Sequence, residues 1–310
     1  MKFYVPLPGL NRMPGVAQDW HAKLAAPDYQ RIAALADELG FGAITSSEHL
    51  ALPRFEIPRL GPYWPHAMTV MSFLAGATTR IRVDASVIVL PYHHPVNIAK
   101  AVSTLDVLSG GRVTLSIGVG HAEKEFAALD VPFHERGQVA NEQLELMKLL
   151  WTSDNVDFHG RYFSVEDVVF EPKPIQRPHP PIWVGGNSKA ALRRAARNDG
   201  WIANPTTMTM ELYSECLAYI EDQPEYQARK KPFDVSMALR GQGHEDLVVV
   251  PDAAAKGFKP MREPVMEKVA QFRDLGVTWT SVSPPPLTDL SQFLDFLHWQ
   301  AEEVLPAFPD

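Results

Sequence analysis

Residues 81–121 read IRVDASVIVLPYHHPVNIAKAVSTLDVLSGGRVTLSIGVGH. The stretch opens with a run rich in Val and Ile, the composition of a strand buried on both faces. Pro91 and Pro95 break that run. Val96, Ala99, Val102, Leu105 and Leu108 then recur at helical spacing. Gly110 and Gly111 end the helix, as glycine does just past a last turn. A second strand, 113–117, stops in Gly118-Val119-Gly120. The unit is strand–helix–strand, with chemistry-bearing residues at both strand ends. Asp84-Ala85-Ser86-Val87 lies within the first strand, His93-His94 follows it, and 118–121 follows the second. In parallel α/β folds, sites form where strands deliver their carboxyl ends.

The same rhythm continues on both sides. Strands are expected at 2–7, 42–46, 182–184, 201–203, 233–239 and 277–282, in addition to the two above. Amphipathic helices alternate with them, the first starting from an expected N-cap at Asp28. Eight strands alternating with eight helices imply a parallel sheet with right-handed crossovers. Eight such units close naturally into a single (β/α)8 TIM barrel spanning 1–310, with insertions after strands four and seven. The first insertion is an acidic, aromatic loop, then a helix over 138–151 and a small β excursion within 157–180. The second, 241–264, carries a hydrophobic stub at Leu247 to Val250. An open doubly wound sheet is the alternative, but Pro8-Gly9 after strand one is followed by no GxGxxG.

Composition narrows the function. The net charge is −8 and there is no basic block, so nucleic acid and anionic membrane are poor partners. No apolar run is long enough to span a membrane, and the proline-broken first ten residues do not resemble a signal peptide. The single cysteine, Cys216, lies on a helical stripe with Leu212, Tyr219 and Ile220 and fits a buried small hydrophobe. One cysteine also excludes an intrachain disulfide, which suits a reducing cytoplasm.

Four constellations carry chemistry. Gly185-Gly186-Asn187-Ser188 joins a strand to a helix, where backbone N–H groups and the helix dipole favour an anion, or where a tight turn simply needs a cap. Glu48-His49 ends strand two, a carboxylate beside an imidazole that suits acid–base work or a loop ion pair. His93, His94 and His121, with Glu48 and His49, raise the question of a metal. No HxH or HExxH spacing supports one, and no metal is expected. Gly118-Val119-Gly120 either admits a flat ring against the backbone or marks a strand end.

Taken together, these segments resemble the luciferase-like (bacterial luciferase superfamily) oxidoreductases, and within them the coenzyme F420-dependent branch. The matching text is the central stretch, then FHERG, LLWTSDNVDFHGRYF, PKPIQRPHPPIWVGGNS and RRAARNDGW. The resemblance implies a deazaflavin, with FMN as the alternative, at the carboxyl end of the barrel. It implies a non-prolyl cis peptide at Ser86-Val87 under the ring, Gly118, Val119 and Gly120 lining it, and Gly185, Gly186, Asn187 and Ser188 taking its phosphate. His49 is then the acid–base group, and Glu48, often Asp in deazaflavin relatives, orients it or contacts the cofactor. His121 stands where many relatives place a carboxylate and is a further catalytic candidate. Tyr63, Trp64 and His94 are pocket candidates. The implied protein is a cytoplasmic homodimer that moves hydride between the deazaflavin and a small organic substrate. An FMN-dependent monooxygenase, a metal-dependent barrel hydrolase and a non-catalytic flavin-binding protein are the other readings.

Overall fold

A computed structural model describes residues 1–204, 208–239 and 262–309. The strands are β1 (Lys2–Pro6), β2 (Ala43–Ser46), β3 (Arg82–Ala85), β4 (Ile88–Val89), β5 (Val113–Gly118), β6 (Val156–His159), β7 (Ser164–Val168), β8 (Ile182–Gly185), β9 (Gly200–Ile202), β10 (Asp234–Ser236) and β11 (Trp279–Thr280). Eight of them close a parallel barrel in the order β1-β2-β3-β5-β8-β9-β10-β11, with β11 returning to β1. The helices are α1 (Ala26–Glu38), α2 (Ile57–Leu60), α3 (Ala67–Ala75), α4 (Pro95–Leu108), α5 (Glu123–Ala128), α6 (Arg136–Thr152), α7 (Lys189–Ala196), α8 (Met210–Glu221), α9 (Pro224–Gln227), α10 (Arg262–Asp274) and α11 (Leu290–Trp299). None of the described helices is long and apolar enough to cross a membrane.

Strand alternation builds two cores. Ile44, Val83, Leu115, Ile117, Val184, Trp201 and Val235 join the large apolar cluster shared with the helices. Their neighbours Ala43, Trp183 and Trp279, with Tyr4 and Ile202, form a separate cluster inside the barrel. The barrel interior is also polar. Arg82 donates to Thr114 Oγ1 at 2.8 Å, Ser116 Oγ to Asp84 at 3.0 Å, and Trp279 Nε1 to Asp234 at 3.0 Å.

Side chains hold the outside layer at its corners. Asp37, at the end of α1, accepts the backbone N–H groups of Thr79, Arg80 and Ile81 and so fixes the entry to β3. Those bonds outweigh the burial that would raise its pKa, and keep it low. Arg112 is buried and donates to the carbonyls of Ala75, Thr78, Ile81 and Ser109, tying the end of α3 to the start of β5.

Several boundaries differ from the sequence expectation. The N-cap of α1 is Ala25, because Pro27 sits in the first turn; Asp28 lies inside the helix and accepts the Ala25 N–H at 2.8 Å. The strand from 81 does not run through Val87. It stops at Ala85, turns at Ser86-Val87 and resumes as β4. The β excursion is the antiparallel hairpin β6–β7. The segment after β5, expected to be an acidic loop, contains α5, a helix of six residues. The stub at Leu247 to Val250 lies outside the described residues.

Candidate active site

The carboxyl ends of β2, β3, β5 and β8 place the expected residues on one end of the barrel. At the end of β3 the Ser86–Val87 peptide is cis, as the resemblance implies. Val87 is half-buried, and its methyl groups lie over Gly118 and Gly185. A Cβ added at Gly118 would stand 3.2 Å from Val87 Cγ2, and one at Gly185 3.1 Å from Val87 Cγ1. A side chain at either position would need Val87 to give way by a few tenths of an ångström. Gly120 is required by packing, since a Cβ there would stand 2.7 Å from Val89 and 2.8 Å from Phe126. Val119 is half-buried beside them.

The glycine loop after β8 is only partly open to an anion. Gly186 has φ +118° and donates its N–H to the Ile202 carbonyl at 3.2 Å. It is thus unavailable to a phosphate, contrary to the expectation that its amide joins those of Asn187 and Ser188. The Asn187 side chain ties this loop to the next one, accepting from Asn204 N at 3.1 Å. Ser188 caps α7 through its bond from Ala191 N at 3.3 Å. The anion reading moves to the first turn of α7, where helix N–H groups have no intrahelical acceptor. Ser188→Ala is expected to cost about 1 kcal/mol through the lost cap, measured by urea unfolding.

Glu48 and His49 are neighbours in sequence but not in partnership. The Glu48 side chain is fully buried. It accepts from Val89 N at 3.0 Å and pairs with His93 Nε2 at 2.8 Å. Its partner is thus His93 and not His49, and through Val89 it fixes the chain beyond the cis turn. Glu48, His66 and His93 bring ligand-type atoms within 4.8 Å of one another. Within it His93 Nε2 meets Glu48 Oε2, His66 Nδ1 caps α3 through Thr69 N at 3.3 Å, and the buried Glu48 Oε1 has no hydrogen-bond partner among the described residues. His94 caps α4 and meets the Phe163 ring edge-on. That places it outside the group around His49.

His49 is the centre of that group. Its Nδ1 lies 2.9 Å from Glu125 Oε2. A carboxylate only accepts, so Nδ1 carries the proton. The Trp64 ring packs edge-on at 4.7 Å and His121 edge-on at 5.6 Å. His121 Nε2 is 3.2 Å from Arg59 Nη2. Arginine only donates, so His121 accepts there and holds its own proton on Nδ1. Protein bulk around the ring, then the charges of His49 and Arg59, lower the His121 pKa. Tyr63 is exposed at the rim and carries the Arg12 guanidinium 3.9 Å from its ring centroid.

Glu125 is the partner of His49 that sequence reading missed. It lies on α5, which Phe126 anchors by packing with Val89 and Tyr92. Burial would raise the Glu125 pKa. The bonds from His49 and from the Ala51 and Leu50 amides outweigh it and hold the group at about 2. Tyr92 donates its hydroxyl to the same carboxylate at 3.0 Å, and burial followed by that negative charge raises the phenol's pKa. The available signal was the acidic run Glu123-Lys124-Glu125 after Gly-x-Gly, four residues beyond the place of the expected carboxylate.

Relatives share this sequence over part of its length. The F420-dependent glucose-6-phosphate dehydrogenase of Amycolatopsis mediterranei is 31% identical over 217 residues, 68% of this chain and 63% of that protein. The FMNH(2)-dependent dimethylsulfone monooxygenase of Pseudomonas putida is 33% identical over 178 residues, 56% of this chain and 47% of that protein. The chain thus spans less than two thirds of the length of these curated relatives. Among solved structures, the monooxygenase RslO1 from Streptomyces bottropensis superposes with a TM-score of 0.80 at 23% identity, covering 100% of both chains. At that identity the likeness speaks for the barrel alone. A family model described as luciferase-like monooxygenase matches residues 1–241, and with that match the chain belongs to the luciferase-like family, which holds both F420-dependent and FMN-dependent oxidoreductases.

Proposed function

We propose that this protein is a coenzyme F420-dependent oxidoreductase that moves hydride between the deazaflavin and an oxygen-bearing carbon of a small organic substrate. The observation that carries the reading is His49, at the carboxyl end of β2, with its Nδ1 proton committed to a buried carboxylate. When bound, the deazaflavin supplies a carbon that takes or gives hydride. The matching proton is the protein's task. His49 Nε2 has no hydrogen-bond partner among the described residues, and an imidazole takes or releases a proton near neutral pH. Trp64 fixes the ring from one side.

The residues present fit a flat ring and a phosphate. Val87 offers an apolar shelf over Gly118 and Gly185, and Ser86, Val119 and Gly120 flank it. Gly185, Gly186, Asn187 and Ser188 lead into α7, whose first turn would take the phosphate. The protein acts in the cytoplasm, as a homodimer, on a small-molecule substrate. A second reading is an FMN-dependent monooxygenase, favoured by the likeness to the dimethylsulfone enzyme.

Anaerobic turnover separates the two. A panel of secondary alcohols and their ketones is mixed with the oxidised and reduced deazaflavin, and the cofactor absorbance is followed. Substrate-dependent loss or gain of that absorbance without oxygen is the expected outcome. Oxygen uptake that requires reduced FMN and substrate, with no anaerobic deazaflavin turnover, would establish the monooxygenase instead.

A further inference from the structure

Glu125 has four donors and no spare capacity. Oε1 accepts from the Leu50 N–H at 2.5 Å and the Ala51 N–H at 2.8 Å. Oε2 accepts from His49 Nδ1 at 2.9 Å and from the Tyr92 hydroxyl at 3.0 Å. An ionised carboxylate has about four lone-pair positions, so the group is saturated. Its side chain has no exposed surface, while His49 keeps 10%. Glu125 therefore touches neither solvent nor any ligand in the barrel mouth, and acts through its neighbours.

We propose that Glu125 is a positioning residue that locks His49 in the tautomer with the proton on Nδ1, so that Nε2 is the nitrogen that exchanges the substrate proton. The role of Nε2 rests on the function proposed above; the tautomer lock does not. Two of the four donors are backbone amides of the residues after His49. They pin the carboxylate to the loop that carries the imidazole, so the ring and its acceptor are fixed as one unit. The charged and titratable groups around the pair are Tyr92 on Glu125, His121 beside the His49 ring, Arg59 and Glu56 beyond His121, and the separate Glu48–His93 pair. None of them supplies a second acceptor to His49 Nδ1 among the described residues. Glu125 stays ionised throughout the working range, since the donors around it hold it at about 2. The lock is therefore present at every pH at which the enzyme would act.

Glu125→Gln gives a sharp test. The amide oxygen must face Leu50 and Ala51, because backbone N–H groups cannot reverse. The amide NH2 then faces His49 Nδ1 and forces the ring proton to Nε2. Nitrogen-15 NMR of the histidines in the full-length protein reads this directly, without cofactor or substrate. The expected result is an Nδ1–H signal for His49 in the wild type and an Nε2–H signal in Glu125→Gln, assigned with His49→Gln. With deazaflavin and substrate, kcat should fall at least ~10²-fold while KM stays within a few-fold, and Glu125→Asp should recover part of the loss while restoring the Nδ1–H signal. Retention of Nδ1–H in Glu125→Gln overturns the lock. A tautomer switch with unchanged kcat overturns its role in the reaction. If His49→Gln itself retains kcat, the proton-carrier reading fails, whereas the NMR result still decides the lock. Should Glu125→Gln not fold, Glu125→Asp alone decides: an Nε2–H ring there contradicts the proposal.

Discussion

His49→Ala is expected to lower kcat by at least ~10²-fold and to leave deazaflavin affinity within a few-fold. Hydride transfer at an oxygen-bearing carbon must be balanced by a proton at the oxygen. General acid–base catalysis of that kind contributes about 10²–10⁴-fold. His49 is placed for it by three independent elements: the end of β2 presents it, α5 supplies its acceptor, and the loop through Trp64 supports its ring. His121 is the nearest substitute, but its Nε2 is occupied by Arg59. Steady-state kinetics with the physiological substrate, paired with a cofactor titration of the variant, is the check. If kcat survives and affinity collapses, His49 is a binding residue and His121 becomes the proton carrier to test.

Asp84→Asn is expected to stabilise the protein by about 2–4 kcal/mol near pH 8 and by nothing measurable below about pH 4. Asp84 points into the barrel interior, 2% exposed, where Ser116 binds one of its oxygens and the other has no partner. Burial pushes its pKa up to about 7; the Ser116 bond and the Arg82 charge oppose that and lose. The folded state therefore holds this proton more tightly than the unfolded chain does. For an acid with a raised folded pKa, stability is greatest below the unfolded pKa, near 3.9, and falls as pH rises through the folded one. Asparagine has the shape of the protonated acid and cannot ionise. The two proteins should match in acid and diverge steadily between about pH 4 and pH 7. Urea unfolding at a series of pH values measures the difference. A constant difference across that window would mean that Asp84 ionises as an ordinary carboxylate.

The barrel was legible because its period is simple. Eight apolar runs alternating with amphipathic helices close as a barrel, and the missing GxGxxG after strand one set aside the open sheet. The turn at Ser86-Val87 was legible only through resemblance, since nothing in Val-Asp-Ala-Ser-Val-Ile signals a break in a strand. Glu125 was not legible because its partner His49 lies 76 residues away and α5 is too short to show a helical period. The pairing of Glu48 with His93, 45 residues on, was hidden in the same way. At the strand-end glycines the local signal suggested one cause and the packing shows another. Gly118 and Gly120 were expected to make room for a ring, yet protein side chains fill the space over both. Gly186 was expected to offer its amide, and the register of β8 on β9 consumes it. Strand-end glycines are chosen by what packs on them, and a sequence does not display that.

Fluorescence titration of the protein with the deazaflavin and, separately, with FMN tests the central assignment most directly. The deazaflavin should bind at least ~10-fold more tightly, a difference of about 1.4 kcal/mol. Equal affinities, or FMN that stays with the protein through purification, would contradict the assignment and leave the monooxygenase in its place.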